Sequence, residues 1–251
     1  MIRNRVCDAL PCVTHPPRKR RGISHGHTCI MPLPPENLYS AIFRIAQEGG
    51  ISMPSKHEQP GWRDVFNARL LNDAQYDGPH DIPWINTTTQ LPNRLIAYSE
   101  AKRTNDTDQW VCFYQEDHKF LHDVWEEPDI ALRTLKRFKG VITPDFSMYR
   151  DMPLVQQEFA IFMGHAAGHY WHEHGIPVIP NVRWGDERTY EIACNGVPRC
   201  STISIGALGC LKDRTNRQIF VDGLAYVMDT LSPKTLVVYG STPEQIFAPY
   251  T

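Results

Sequence analysis

No stretch of this sequence approaches the roughly 20 consecutive apolar residues that a membrane span needs, and its first residues lack the apolar core of a secretory signal. A cytoplasmic protein with no membrane partner is expected. Charge of one sign is not in surplus either: 26 Lys and Arg stand against 28 Asp and Glu, a formal net charge of −2. No chain-wide basic field can draw such a protein to nucleic acid, so any contact of that kind must be local. Cysteine is sparse and odd in number, with Cys7, Cys12, Cys29, Cys112, Cys194, Cys200 and Cys210. In a chain too large to need staples this favours reduced thiols over a disulfide framework. Complete fingerprints are missing as well. His165 and His169 enclose Ala166, Ala167 and Gly168 rather than the glutamate of H-E-x-x-H, and the single Gly240 is no phosphate-binding signature.

What is there describes a folded protein. Apolar residues make up 41% and charged residues 22% of 251 residues, enough for one large domain or for one domain with an extended arm. Residues 1–35 read as an arm, possessing Arg18, Lys19, Arg20 and Arg21 but no apolar periodicity. Residues 36–93 read as an irregular extension packed on the core. It starts with a short helix carrying Leu38, Ile42 and Ile45, stopped by Gly49 and Gly50, and is then broken by Pro54, Pro60, Pro79, Pro83 and Pro92.

From residue 94 to 251 the pattern becomes regular. Apolar strand segments at 95–98, 110–114, 141–146, 176–182, 202–205 and 236–239 are separated, after the second, by helical spacing from Asp129 to Phe138, at 153–171, 187–193 and 218–231, with a short terminal helix. Pro177 and Pro180 suit an edge or a strand end. Strands joined through helices imply parallel pairing, because parallel neighbours need a long crossover. The expected fold is α/β with a mainly parallel sheet. About six strands are too few for a complete eight-stranded barrel, and a partial (βα) barrel is favoured over an open doubly wound sheet.

Such folds bind ligands at the carboxyl ends of their strands, where loops vary on a rigid base. Glu116 and Asp117 follow the second strand; Asp145, Ser147, Tyr149 and Asp151 follow the third; Arg183, Trp184, Asp186 and Glu187 follow the fourth; Tyr239, Gly240 and Ser241 end the last. Asp145, Asp186 and Glu187 are candidate catalytic carboxylates, and Ser147, Tyr149, Arg183, Trp184, Tyr239 and Ser241 candidate ligand contacts. Competing structural roles are clear. Asp151 before Pro153, and Ser241 with Thr242 before Pro243 and Glu244, make good helix caps, while Trp184 can simply close the core.

His165, His169 and His172 share one helical face at a spacing compatible with metal ligation, though a solvated polar face is the commoner explanation. The arm has Cys7, Cys12, His15, His25, His27 and Cys29, metal-ligand types at no standard spacing. No metal or other cofactor is assigned.

Three long strings carry a resemblance: V-I-T-P-D-F-S-M-Y-R-D-M-P over 141–153, I-P-V-I-P-N-V-R-W-G-D-E-R-T over 176–189, and L-S-P-K-T over 231–235 with Val238-Tyr239-Gly240-Ser241. From about residue 82 to the C-terminus the chain resembles the domain of unknown function 4417 family of bacteriophages, prophages and plasmids. The resemblance implies a mobile-element origin and names no substrate. Family members usually carry arginines where this chain has Met163 and His165.

Two functional classes follow. One is an enzyme acting on a nucleotide or nucleic acid, with Asp145 as general base or magnesium ligand, Asp186 or Glu187 as its partner, and Arg183 on a phosphate or carboxylate. The other is a non-catalytic nucleic-acid-binding or regulatory protein of phage replication or host takeover, using Arg18–Arg21 and the rim. Oligomeric state is open.

Overall fold

The computed structural model describes residues 4–6, 64 and 66–250. The chain divides into two compact units, one of Met1–Cys12 with Asn67–Thr251 and one of Val13–Phe66. All the elements below belong to the first. The expected helix at 36–47, the basic run and the cysteines and histidines of the arm lie outside the described residues.

Six parallel strands organise the unit: β4 (Leu95–Ala97), β5 (Trp110–Cys112), β6 (Gly140–Ile142), β7 (Val178–Ile179), β8 (Thr202–Gly206) and β9 (Thr235–Tyr239). Strands β4-β5-β6-β7 pair in that order, β8 pairs with β9, and β1 (Asn4–Val6) lies antiparallel on β9. All residues of β5, β6, β7 and β8 are buried. Sheets covered on both faces read as continuous Val- and Ile-rich runs, which is why these segments stand out in the sequence.

Among the described residues, the sheet of β4 to β7 and the sheet of β1, β9 and β8 are joined by one isolated parallel bridge, Asn181↔Ser204, just beyond the end of β7 and at the middle of β8. There the Ser204 amide donates to the Pro180 carbonyl and the Val182 amide to the Ser204 carbonyl, both at 2.8 Å. Nearer their beginnings, another segment takes the bonding groups. The Thr88 amide donates to the Val178 carbonyl, and the Thr87 hydroxyl to the Thr202 carbonyl, each at 3.0 Å. Pro180, lacking an N–H, loses nothing by this arrangement. The prolines thus mark strand ends, as expected.

Helices complete the unit: α1 (Tyr98–Ala101), α2 (Pro128–Leu135), α3 (Leu154–Glu173), α4 (Tyr190–Cys194), α5 (Arg214–Leu231) and α6 (Glu244–Phe247). Helix α5 starts four residues before the apolar periodicity that announces it, because the Asp213 carboxylate accepts from the Asn216 amide at 2.9 Å and satisfies an orphan donor. The expected caps at Asp151 and Ser241 are not made. Pro153 and Pro243 occupy those N-cap positions without side-chain bonds.

A short hairpin of β2 (Tyr76–Asp77) and β3 (Ile82–Pro83) packs against α3. Together with the turn at Asn72 before it, it overturns the expectation of a solvated face at His165 and His169. His165 is buried with Nδ1 2.8 Å from the Pro83 carbonyl, and His169 is buried with Nε2 3.0 Å from the Asn72 carbonyl. Each buried ring nitrogen thereby finds a backbone carbonyl as partner. Burial pushes His165 down to about 4, so its neutral form is the one that donates. Among the described residues no three His, Cys, Asp or Glu side chains group as metal ligands.

The core is closed by close approaches that only glycine permits. A Cβ on Gly223 of α5 would lie 2.2 Å from Trp184 Nε1. Gly223→Ala is expected to push the indole out of place and cost about 1–3 kcal/mol, the usual range for overpacking, read as a fall in the urea midpoint at unchanged slope. An unchanged midpoint would show that the indole has room to move. The thiols of Cys112, Cys194 and Cys210 are free, as expected, whereas Cys200 is disulfide-bonded.

Candidate functional site

The carboxyl ends of β5 to β9 bring a connected polar network to one place. The Tyr114 hydroxyl, two residues beyond β5, donates to Asn181 Oδ1 at 2.9 Å and lies 2.7 Å from Ser204 Oγ, which itself donates to the Val237 carbonyl at 3.1 Å. Asn181 Nδ2 donates to Asp145 Oδ1 at 2.9 Å. On the other side of the carboxylate, Asp145 Oδ2 stands 3.7 Å from Arg183 Nη1. One chain of contacts therefore runs from β9 to the loop after β7. It fixes the Asp145 carboxylate by one bond and leaves its second oxygen to the guanidinium.

Arg183 is held loosely. Its Nη1 lies 3.8 Å from Cys210 Sγ, its Nε is buried without a partner, and among the described residues no oxygen accepts a hydrogen bond from it. The side chain keeps 24% of its surface exposed, against 16% for Asp145. The neighbouring Asp145 carboxylate holds the guanidinium above its ordinary pKa against the opposing effect of burial. A permanently charged guanidinium whose N–H groups meet no oxygen among the described residues is chemically able to bind an oxyanion.

Arg183 opens into a cleft of about 480 Å³. The loop from β6 to α3 forms one wall with Tyr149, Arg150 and Asp151; the loop after β8 and the start of α5 form the other with Leu208, Cys210 and Asn216. Asp145 is not in the lining and reaches the cleft's edge only as the partner of Arg183 at 3.7 Å. Gly206 lies between: a Cβ there would come 2.9 Å from the Tyr114 ring and 3.4 Å from Asp145 Oδ2. A side chain at this position would crowd both the phenol ring and the carboxylate.

A family described as Domain of unknown function (DUF4417) matches residues 74–251. The chain belongs to this family. Its relatives include the Gene 1 protein of Mycobacterium phage D29, 28% identical over 185 residues that cover 72% of this chain and 67% of the relative. The Gene 1 protein of Mycobacterium phage L5 is equally similar, 28% identical over 185 residues covering 72% of this chain and 80% of the relative. No solved structure matches. The family match takes in the whole Asp145–Arg183 network and the hairpin on α3.

Of the residues singled out in the sequence, the structure brings Asp145 and Arg183 into contact and places Tyr149, Arg183 and Trp184 on the cleft. Trp184 is nonetheless a core residue, buried against Phe220 with its Nε1 donating to the Ile219 carbonyl at 3.3 Å. Tyr239 stacks on Tyr114 with ring centroids 4.5 Å apart. Ser147 lies under the rim and gives both its amide and its hydroxyl to Asp117. Burial, aided by the charge of Asp145, raises the Asp117 pKa against those bonds.

Asp186 and Glu187 are not brought to Asp145. Asp186 caps the turn Glu187–Thr189 in a reciprocal box with Thr189 and pairs with Arg188 at 2.8 Å, and neither residue lines the cleft. Ser241 is exposed beyond β9. Tyr114, Asn181 and Ser204 do not stand out in the sequence, because each lies within or beside an apolar strand and looks like core. A polar residue inside such a run was the available signal, since a buried polar group demands a partner.

Tyr114→Phe tests the network. Burial foremost, with the charge of Asp145 adding, keeps the Tyr114 hydroxyl protonated, and its removal leaves Asn181 Oδ1 without its donor. A loss of about 1–3 kcal/mol in unfolding free energy is expected, with chemical denaturation as the measurement. A cost near zero would mean that Asn181 and Ser204 satisfy one another without the phenol.

Proposed function

We propose that this phage-related protein is an enzyme acting on a nucleotide or nucleic acid at the cleft, with Arg183 holding a phosphate and Asp145 serving as general base or magnesium ligand. The observation that carries the reading is the Arg183 guanidinium, which has a carboxylate at 3.7 Å but no oxygen acceptor for its N–H groups among the described residues. Magnesium is commonly held by one or two carboxylates together with substrate phosphates, so Asp145 alone would be a sufficient protein anchor. Ser147 and Asp117 support the floor, Tyr149 stands at the mouth, and Asp186, Glu187, Tyr239 and Ser241 act around the rim rather than at the reacting atoms.

The site's rigidity fits a partial (βα) barrel, which is the architecture we infer for the sheet. Tyr114 and Tyr239 stack although three strands separate β5 from β9. Strands four places apart in a flat sheet would be about 19 Å apart. Trp110, Cys112, Tyr114, Ile142, Ile179 and Val237 form a second core cluster, as the interior of a curled sheet would.

The test is turnover of nucleoside mono-, di- and triphosphates and of single- and double-stranded DNA and RNA, with magnesium, followed by mass spectrometry. A product formed by the parent and absent with Asp145→Asn supports an enzyme. Absence of product from every substrate, with binding retained, would favour a non-catalytic binding protein.

A further inference from the structure

Resting on the cleft as the functional site, we infer that its ligand is a small phosphate ester of nucleoside-monophosphate size, bound phosphate-inward on Arg183, and not a nucleic-acid polymer. Volume comes first. A cleft of about 480 Å³ falls within the roughly 300–1,000 Å³ of small-molecule sites.

Charge comes second. A groove for a polymer tracks the backbone with a row of cations, one per phosphate it neutralises. Among the described residues, the basic side chains lining this cleft are Arg150 and Arg183, and Asp151 stands with them. The arrangement matches one phosphate at Arg183.

The walls supply the rest of the ligand's chemistry. Tyr149 on one loop and Leu208 on the other are large apolar side chains with 62% and 63% of their surface exposed, and both line the cleft. Two such side chains, carried on different loops of one cleft, suit a planar ring, since stacking on an aromatic surface is insensitive to which base is bound. Asn216, also in the lining, offers an amide to a ring edge. A phosphate at one end, a planar apolar body and a polar edge together describe a mononucleotide.

The experiment is calorimetric titration of the full chain with inorganic phosphate, the four common nucleoside monophosphates and a single-stranded 12-mer, on the parent, Arg183→Gln and Leu208→Ser. The inference expects monophosphate binding that weakens at least tenfold in Arg183→Gln and several-fold in Leu208→Ser, with inorganic phosphate binding the parent more weakly and indifferent to Leu208→Ser. The salt dependence should be that of about one phosphate contact. Equal monophosphate binding by parent and Arg183→Gln would overturn it, as would a 12-mer binding more tightly than any monophosphate with a steep salt dependence. If monophosphates fail but a polymer is turned over in an Asp145-dependent way, the inference falls while the proposed enzyme stands. If neither binding nor turnover depends on Arg183 or Asp145, both fall.

Discussion

Arg183→Ala is expected to weaken binding of a phosphate-bearing ligand by about 10- to 100-fold, because a charge-assisted hydrogen bond contributes roughly 1.5–3 kcal/mol. Asp145→Asn is expected to abolish turnover. Both should unfold within about 1 kcal/mol of the parent, since the Asp145–Arg183 pair is partly exposed and open by hydrogen-bond standards at 3.7 Å, and such pairs stabilise little. The choice of asparagine matters. It keeps an acceptor for Asn181 Nδ2, whereas Asp145→Ala strands that donor and is expected to cost about 1–3 kcal/mol. Alanine is therefore expected to leave stability nearly unchanged at Arg183 but not at Asp145. Binding and denaturation curves on the same preparations check it; a large loss of stability in Asp145→Asn with ligand affinity intact would assign the pair to the fold.

Acidification should destabilise the protein through His165. Its folded pKa of about 4 lies below the ordinary 6.5 because the ring is buried between α3 and the hairpin. A depressed histidine means that the unfolded chain takes up a proton the folded one refuses. The stability tied to it is complete above pH 6.5 and declines as the pH falls towards 4, by about 3 kcal/mol in all. Urea midpoints measured between pH 7.5 and 4.5 should show this decline in the parent. His165→Gln, which keeps an amide donor for the Pro83 carbonyl and does not titrate, should flatten it. Parallel acid limbs in the two proteins would place the sensitivity elsewhere.

The strands of the parallel sheet were legible because burial on both faces leaves an uninterrupted apolar run, as in Val141-Ile142 and Thr202–Gly206. The hairpin at Tyr76–Asp77 and Ile82–Pro83 was not, since two-residue strands carry no periodicity. From that gap came the error over the histidines. Without the Pro83 carbonyl of the hairpin and the Asn72 carbonyl before it, nothing in the spacing of His165 and His169 distinguishes a buried donor from a solvated side chain.

The site was half legible on the same logic. Charged residues just beyond strand ends converge when the strands are parallel neighbours, and β6 and β7 are, which is why Asp145 and Arg183 meet. Asp186 follows the same strand yet turns away, because Thr189 and Arg188 offer it a local capping box and an ion pair. The D-x-x-T spacing was the sign of it. The split between β7 and β8 could not be read, because the residues that cause it, Thr87 and Thr88, lie about 90 to 115 positions away in sequence.

The most direct test is a crystal structure of the full chain soaked with a nucleoside monophosphate and magnesium. The account predicts phosphate oxygens at about 2.7–2.9 Å from Arg183, with the planar ring between Tyr149 and Leu208 and Asp145 beside the phosphate. A phosphate bound elsewhere, or an empty cleft in which Arg183 Nε has found a protein oxygen, would contradict it.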